Sequence, residues 1–280
     1  MPRFFDFFIF SNLYLSLGAM LMCWTTSYYV GGHGISPYFE FVFFATLCSY
    51  CLHWALTEGE PNTLRMQWTI EYRKLLFLFF SLAALGAVYT GWSLLQYWKW
   101  ILPLVVLTFL YSAPKIPFRP FSYLKGFAFG KTVYLAFVWT AVTVGLPIVL
   151  SDIAWTSNVT WFLCNRFLLF LLSCVLFDYK DRNEDAGIKN LITYINEPIL
   201  NWIFGGLLFL FFLSSFSLYQ FDYSSNKAMN AVALNLPALL LGVTFSISKK
   251  TKNDRWFFFF LDGLMFLTGV VIIGHSLFFG

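Results

Sequence analysis

Three aspartates carry the first chemical signal in this chain. In the stretch Phe177-Asp178-Tyr179-Lys180-Asp181-Arg182-Asn183-Glu184-Asp185, the residues Asp178, Asp181 and Asp185 are spaced i, i+3, i+7. At about 100° per residue they fall within an arc of about 60° on one helical face. Three carboxylates side by side repel one another unless a positive charge lies between them. A hard divalent cation such as Mg2+ takes oxygen ligands, keeps part of its water and bridges a few carboxylates to the phosphates of a substrate. The plainer reading of the same residues is a solvated helix end whose acids pair with Lys180, Arg182 and Lys189.

A second group gathers cations. Tyr111-Ser112-Ala113-Pro114-Lys115-Ile116-Pro117-Phe118-Arg119 is followed by Lys125. The prolines end the preceding helix, and Lys115, Arg119 and Lys125 are left close to an apolar run. Cations at that depth can clamp a diphosphate. They can equally contact anionic lipid as ordinary positive-inside residues.

The elements that must position these groups are long and apolar. Of 280 residues, 59% are hydrophobic and 11% charged, against about 25% charged in soluble domains. So few charges cannot cover a water-soluble globule of this size, and the chain reads as an integral membrane protein. Breaking the apolar runs at charges and Gly, Pro or Asn clusters predicts nine spans: 5–30, 37–57, 73–93, 97–112, 127–150, 159–177, 199–220, 228–247 and 256–279. Their joining loops show no soluble domain, so residues 1–280 read as one transmembrane unit. With the N-terminus inside, only Lys99, Arg166 and Lys227 of the 18 Lys and Arg residues fall on the outer side. That asymmetry predicts an N-in, C-out topology with the acidic and basic motifs facing the cytoplasm.

Other classes are excluded. A net charge of +4, scattered between apolar runs, is no nucleic-acid footprint. The five cysteines, Cys23, Cys48, Cys51, Cys164 and Cys174, lie inside apolar runs, where thiols pack as small hydrophobes, and no disulfide is expected. Asp262, within the last span, is an unexpected ionisable group that either faces the interior or snorkels to the surface.

These features together resemble the UbiA superfamily of intramembrane prenyltransferases, a family with nine transmembrane helices and two aspartate-rich cytoplasmic motifs. Asp178, Asp181 and Asp185 match the acids of the second motif, with Gly187 close to its glycine and Asn190-Leu191 where Thr-Leu is usual. Tyr111, Ser112 and Pro114 match a Tyr-Ser-x-Pro element, and Lys125 its downstream lysine. The resemblance implies an all-α, nine-helix bundle in a cytoplasmic membrane. It further implies Mg2+-dependent transfer of a prenyl group from a polyprenyl diphosphate to a lipophilic, commonly aromatic acceptor. Asp178, Asp181 and Asp185 would be the catalytic and metal-holding acids, and Lys115, Arg119, Lys125, Tyr111 and His53 would contact substrate.

The chain departs from the family at the first motif. Ser49, His53 and Thr57 keep the i, i+4, i+8 face, but none is a carboxylate; Glu58 and Glu60 follow, and Glu58 stands as the substitute ligand. A competing reading is therefore a protein of the same fold that binds a prenylated lipid or quinone without transferase chemistry. A transporter is the third. Embedded charges are few, and no inverted repeat of interrupted helices is visible.

Overall fold

A computed structural model describes residues 2–31, 35–115, 131–184, 195–221 and 226–279; Met1, 32–34, 116–130, 185–194, 222–225 and Gly280 lie outside it. Among the described residues the chain is all-helical, with no strand. Helix α1 (Pro2–Phe10) is followed by α2 (Leu13–Val30), α3 (Ser36–Ala55), the short α4 (Leu64–Glu71), α5 (Arg73–Trp92) and α6 (Trp98–Ser112). Then come α7 (Lys131–Leu150), α8 (Ser157–Glu184), α9 (Glu197–Phe221), α10 (Lys227–Ser248) and α11 (Trp256–Phe278).

Six of these, α5 and α7–α11, are long and apolar enough to cross a membrane, and α1 with α2 makes a seventh if the bent pair is one span. The predicted spans at 37–57 and 97–112 are helical but fall short of that test. In α3, Glu40, His53 and several hydroxyl groups dilute the apolar run. Helix α6 has 15 residues, about 22 Å of rise against the ~30 Å of a hydrocarbon core. Leu78, Leu82, Leu85 and Tyr89 on α5, and Trp202, Phe209 and Phe216 on α9, point outward. Apolar surface of that extent suits lipid rather than water.

Helix α8 is central and packs on α7, α9, α10 and α11, while α2 packs on α3 and α11 and α3 runs along α5. Small residues set the closest approaches. A Cβ at Gly86 of α5 would fall 2.5 Å from the Phe44 ring of α3, and one at Gly18 of α2 would enter the Phe266 ring of α11.

The bundle is pinned at one end by buried charge. Between α1 and α2 the chain turns by 56° at Asn12, whose φ of 67° is the left-handed conformation Asn tolerates better than most residues. The turn frees the carbonyl of Phe10, and Arg65 Nη1 donates to it. Arg65 Nη2 donates to Asn12 Oδ1 at 3.0 Å, and the Arg65 backbone N–H donates to Asp254 Oδ2 at 2.6 Å. Asp254 also faces Lys180 Nζ of α8 at 3.0 Å. Arg65, Asn12, Asp254 and Lys180 are all buried, and the Arg65 guanidinium lies 4.2 Å from the Trp54 ring centroid. Burial holds the Arg65 pKa down at about 9, so it remains charged at neutral pH.

Removing one member of such a buried network strands the others. Asp254→Ala is expected to lower stability by about 3–5 kcal/mol. Arg255→Gln, which breaks the more exposed pair with Asp6 (2.7 Å), should stay within about 1 kcal/mol. Thermal or denaturant unfolding of both variants in the same detergent checks the contrast.

Candidate functional site

The last turns of α8 present Asp178 and Asp181 toward the first turn of α7. Asp178 is buried, and its Oδ2 accepts a hydrogen bond from Thr132 Oγ1 at 2.5 Å. Asp181 Oδ2 pairs with Lys131 Nζ at 3.1 Å. Lys180 lies about 200° around the helix from Asp178 and turns away to Asp254. Among the described residues the acids are thus compensated from α7.

His53, Tyr111 and Lys115 come from the ends of α3 and α6 to the same place. The His53 and Tyr111 rings stack with centroids 5.0 Å apart and planes 15° from parallel, and His53 Nδ1 lies 3.3 Å from Ser112 Oγ. Lys115 Nζ donates to Thr57 Oγ1 at 2.5 Å and stands 5.4 Å from the Trp54 ring centroid. Thr57 Oγ1 donates in turn to the carbonyl of His53 at 2.7 Å, and Arg73 Nη2 donates to the Thr57 carbonyl at 3.1 Å. His53 lies within electrostatic reach of Lys115, Lys131 and Arg65, and Tyr111 within reach of Lys131, Asp181 and Asp178. One end of the bundle therefore holds a mixed cluster of two carboxylates, three cations, an imidazole and a phenol.

Of the residues expected from sequence, Asp178, Asp181, His53, Tyr111 and Lys115 are brought together. Asp185, Arg119 and Lys125 lie outside the described residues, as does the Gly187 to Leu191 stretch. Glu58 is exposed in the connection after α3 and off the helical face that carries His53 and Thr57. Lys131, Thr132, Arg65 and Asp254 were not singled out by sequence, because a charge at the edge of an apolar run reads as an ordinary flanking residue. Asp262 faces inward, buried in α11 and within reach of the Arg65 charge.

The metal expectation divides in two. Asp178 and Asp181, one turn apart, are hard oxygen donors of the kind that hold one divalent cation alongside phosphate and water. The face of Ser49, His53 and Thr57 does not suit a cation, because the Lys115 ammonium already sits on Thr57. Among the described residues no group of three His, Cys, Asp or Glu side chains converges. Comparison with protein-family models, with curated proteins and with solved structures finds no match.

Burial, and next the charge of Lys131, push Lys115 down from 10.5 to about 7. Between those values the unfolded chain keeps this proton while the folded chain releases it, so this group makes stability rise with pH across the window. The melting temperature of wild type relative to Lys115→Met should accordingly rise from pH 7 to about pH 9. A constant difference over that range would show that Lys115 titrates normally.

Proposed function

We propose that this chain is a UbiA-type prenyltransferase of a cytoplasmic membrane, transferring a prenyl group from a polyprenyl diphosphate to a lipophilic, commonly aromatic acceptor. The observation that carries the reading is the meeting of Asp178 and Asp181 with Lys115, Lys131, His53 and Tyr111 at one end of an apolar helical bundle. That arrangement suits a substrate with an anionic head at the membrane surface and a long apolar tail among the helices.

In this reading Asp178 and Asp181, with Asp185, hold Mg2+, which when bound neutralises diphosphate charge and improves the leaving group. The chain supplies the rest. Lys131, paired with Asp181, and Lys115, whose protonated form an anionic substrate favours, can both donate to diphosphate oxygens as charge develops on the bridging oxygen. The stacked His53 and Tyr111 rings offer a π face close to these cations. Such faces stabilise a desolvated carbocation by ~2 kcal/mol or more.

The topology belongs to the same proposal. Each of the nine apolar runs contains one of the helices, α1 with α2 counting as one. The positive-inside asymmetry places the Asp181 end in the cytoplasm, N-in and C-out. A second reading is favoured by the ammonium that occupies the Thr57 face: the fold binds a prenylated anion but no longer cleaves a diphosphate.

Two experiments test these proposals. A non-hydrolysable prenyl diphosphate analogue should raise the melting temperature of the detergent-purified protein only with Mg2+, and Asp181→Asn should abolish the gain. Stabilisation that is indifferent to Mg2+ and to Asp181→Asn would select the non-catalytic reading, and none at any chain length would reject both. For topology, cysteines introduced at positions 58 and 253 should label only from the cytoplasmic side, and one at position 155 only from the opposite side. Any other pattern overturns the assigned orientation.

A further inference from the structure

The opposite end of α8 carries a second set of features that the proposed chemistry does not use. Arg166 is buried in the interior (5% exposed), 12 residues from Asp178, hence about 18 Å along the helix. Its Nε and Nη2 donate to Asn165 Oδ1 at 3.2 and 2.8 Å, and its Nη1 to Thr268 Oγ1 at 3.0 Å. Both acceptors are neutral. Among the described residues no carboxylate pairs with it, whereas at the other end Lys180 pairs with Asp254 and the Arg65 guanidinium lies within electrostatic reach of Asp254 and Asp262. A buried cation without a counter-ion is costly, and within a membrane span it marks a ligand or ion path by default.

Two spaces adjoin it. One, about 10 Å3 and large enough for a single water-sized oxygen, is lined by Arg166, Thr25, Thr143 and Thr268 together with Phe162. The other is a cavity of about 600 Å3 at the end of the bundle, within the usual range for small-ligand sites. Tyr28, Tyr29, Tyr219, Asn230 and Lys227 line it, again with Phe162. Ser215 also lines it; its Oγ is buried and has no hydrogen-bond partner among the described residues. Among the described residues neither space is lined by an acid. The Phe162 ring is the shared wall, stacked on Tyr29 at 5.2 Å and 5.6 Å from the Arg166 guanidinium carbon. Phe162 is the residue that the two linings share.

We propose that this cavity, with Arg166 behind it, binds a lipophilic anion: an apolar body ending in a carboxylate or phosphate. The aromatic lining takes the body, the Lys227 ammonium meets polar atoms near the mouth, the buried Ser215 Oγ meets one deeper in, and the headgroup oxygen reaches the guanidinium as the Phe162 ring turns aside. This site lies at the other end of the bundle from Asp178 and Asp181 and stands independently of prenyl transfer.

The test uses the full chain purified in a neutral detergent, without Mg2+ or diphosphate. Oleate is compared with methyl oleate, and phosphatidylglycerol with phosphatidylcholine, by thermal shift and by equilibrium dialysis of radiolabelled oleate. At least one anion should stabilise the protein where its neutral or zwitterionic counterpart does not; which pair shows the difference assigns the carboxylate or the phospholipid as the source. Arg166→Gln should weaken anion binding by at least about tenfold, the usual scale for removing one partner of a buried charge pair. Ser215→Phe, which fills the cavity and leaves the charge, should do the same and decides the matter if Arg166→Gln does not fold. Equal shifts by charged and uncharged partners, or an anion preference that survives Ser215→Phe, would overturn the site.

Discussion

The buried network in which Asp254 takes both the Lys180 ammonium and the Arg65 backbone N–H, while the Arg65 guanidinium bonds the α1–α2 bend, is what the rest of this structure depends on. It joins the α1–α2 bend, the short helix α4, the end of α8 and the start of α11 through groups that have almost no contact with water. Charges removed from water hold a fold together only when each finds its partner, since a stranded one costs several kcal/mol. The bend at Asn12 is part of the same bargain between backbone and side chain. A broken helix exposes carbonyls that lipid cannot satisfy, and the Arg65 guanidinium satisfies the one on Phe10 while stacking on Trp54.

That pinning explains why the candidate site is where it is. With Lys180 committed to Asp254 on one side of α8, Asp178 and Asp181 are left facing α7, where Thr132 and Lys131 meet them. The Lys115 ammonium, held on Thr57 by the end of α6, enters the same space from the other direction. The result is a site whose positive groups are built into the protein to an unusual degree. This is consistent with a chain that lacks carboxylates on the Ser49, His53 and Thr57 face.

Two π-helical segments organise the interior between the ends. In α7 the π turn Ala141–Gly145 leaves carbonyls that side chains of other helices take up. Val142 O accepts from Tyr38 OH at 2.6 Å, and Thr143 O from Thr26 Oγ1 at 2.7 Å. At the start of α11 the π segment Trp256–Leu261 does likewise, with Phe259 O accepting from Tyr14 OH at 2.9 Å. In both places a local widening of the helix becomes a joint between helices, because an unpaired carbonyl in an apolar interior must find a donor. The first of these joints borders the space beside Arg166.

Composition and periodicity alone determined the class of the molecule, the places where helices run, and the acidic face of Asp178 and Asp181, because each of these is written in spacing along the chain. His53, Tyr111 and Lys115 were also legible, as polar or cationic groups at the ends of apolar runs. The partners of those groups were not. Lys180 reads as the neighbour of Asp178 and Asp181, yet it bonds Asp254, and the Arg65 guanidinium bonds Phe10 and Asn12, 55 and 53 positions away. Arg166 reads as one more charge near a span's end, yet it lies inside the bundle, where its bonds among the described residues go to neutral oxygens. Which helices become neighbours decides such pairings, and packing of apolar faces over the whole chain sets that arrangement. A charge takes the nearest compensating group the packed fold offers, and nothing in its local sequence specifies which group that will be.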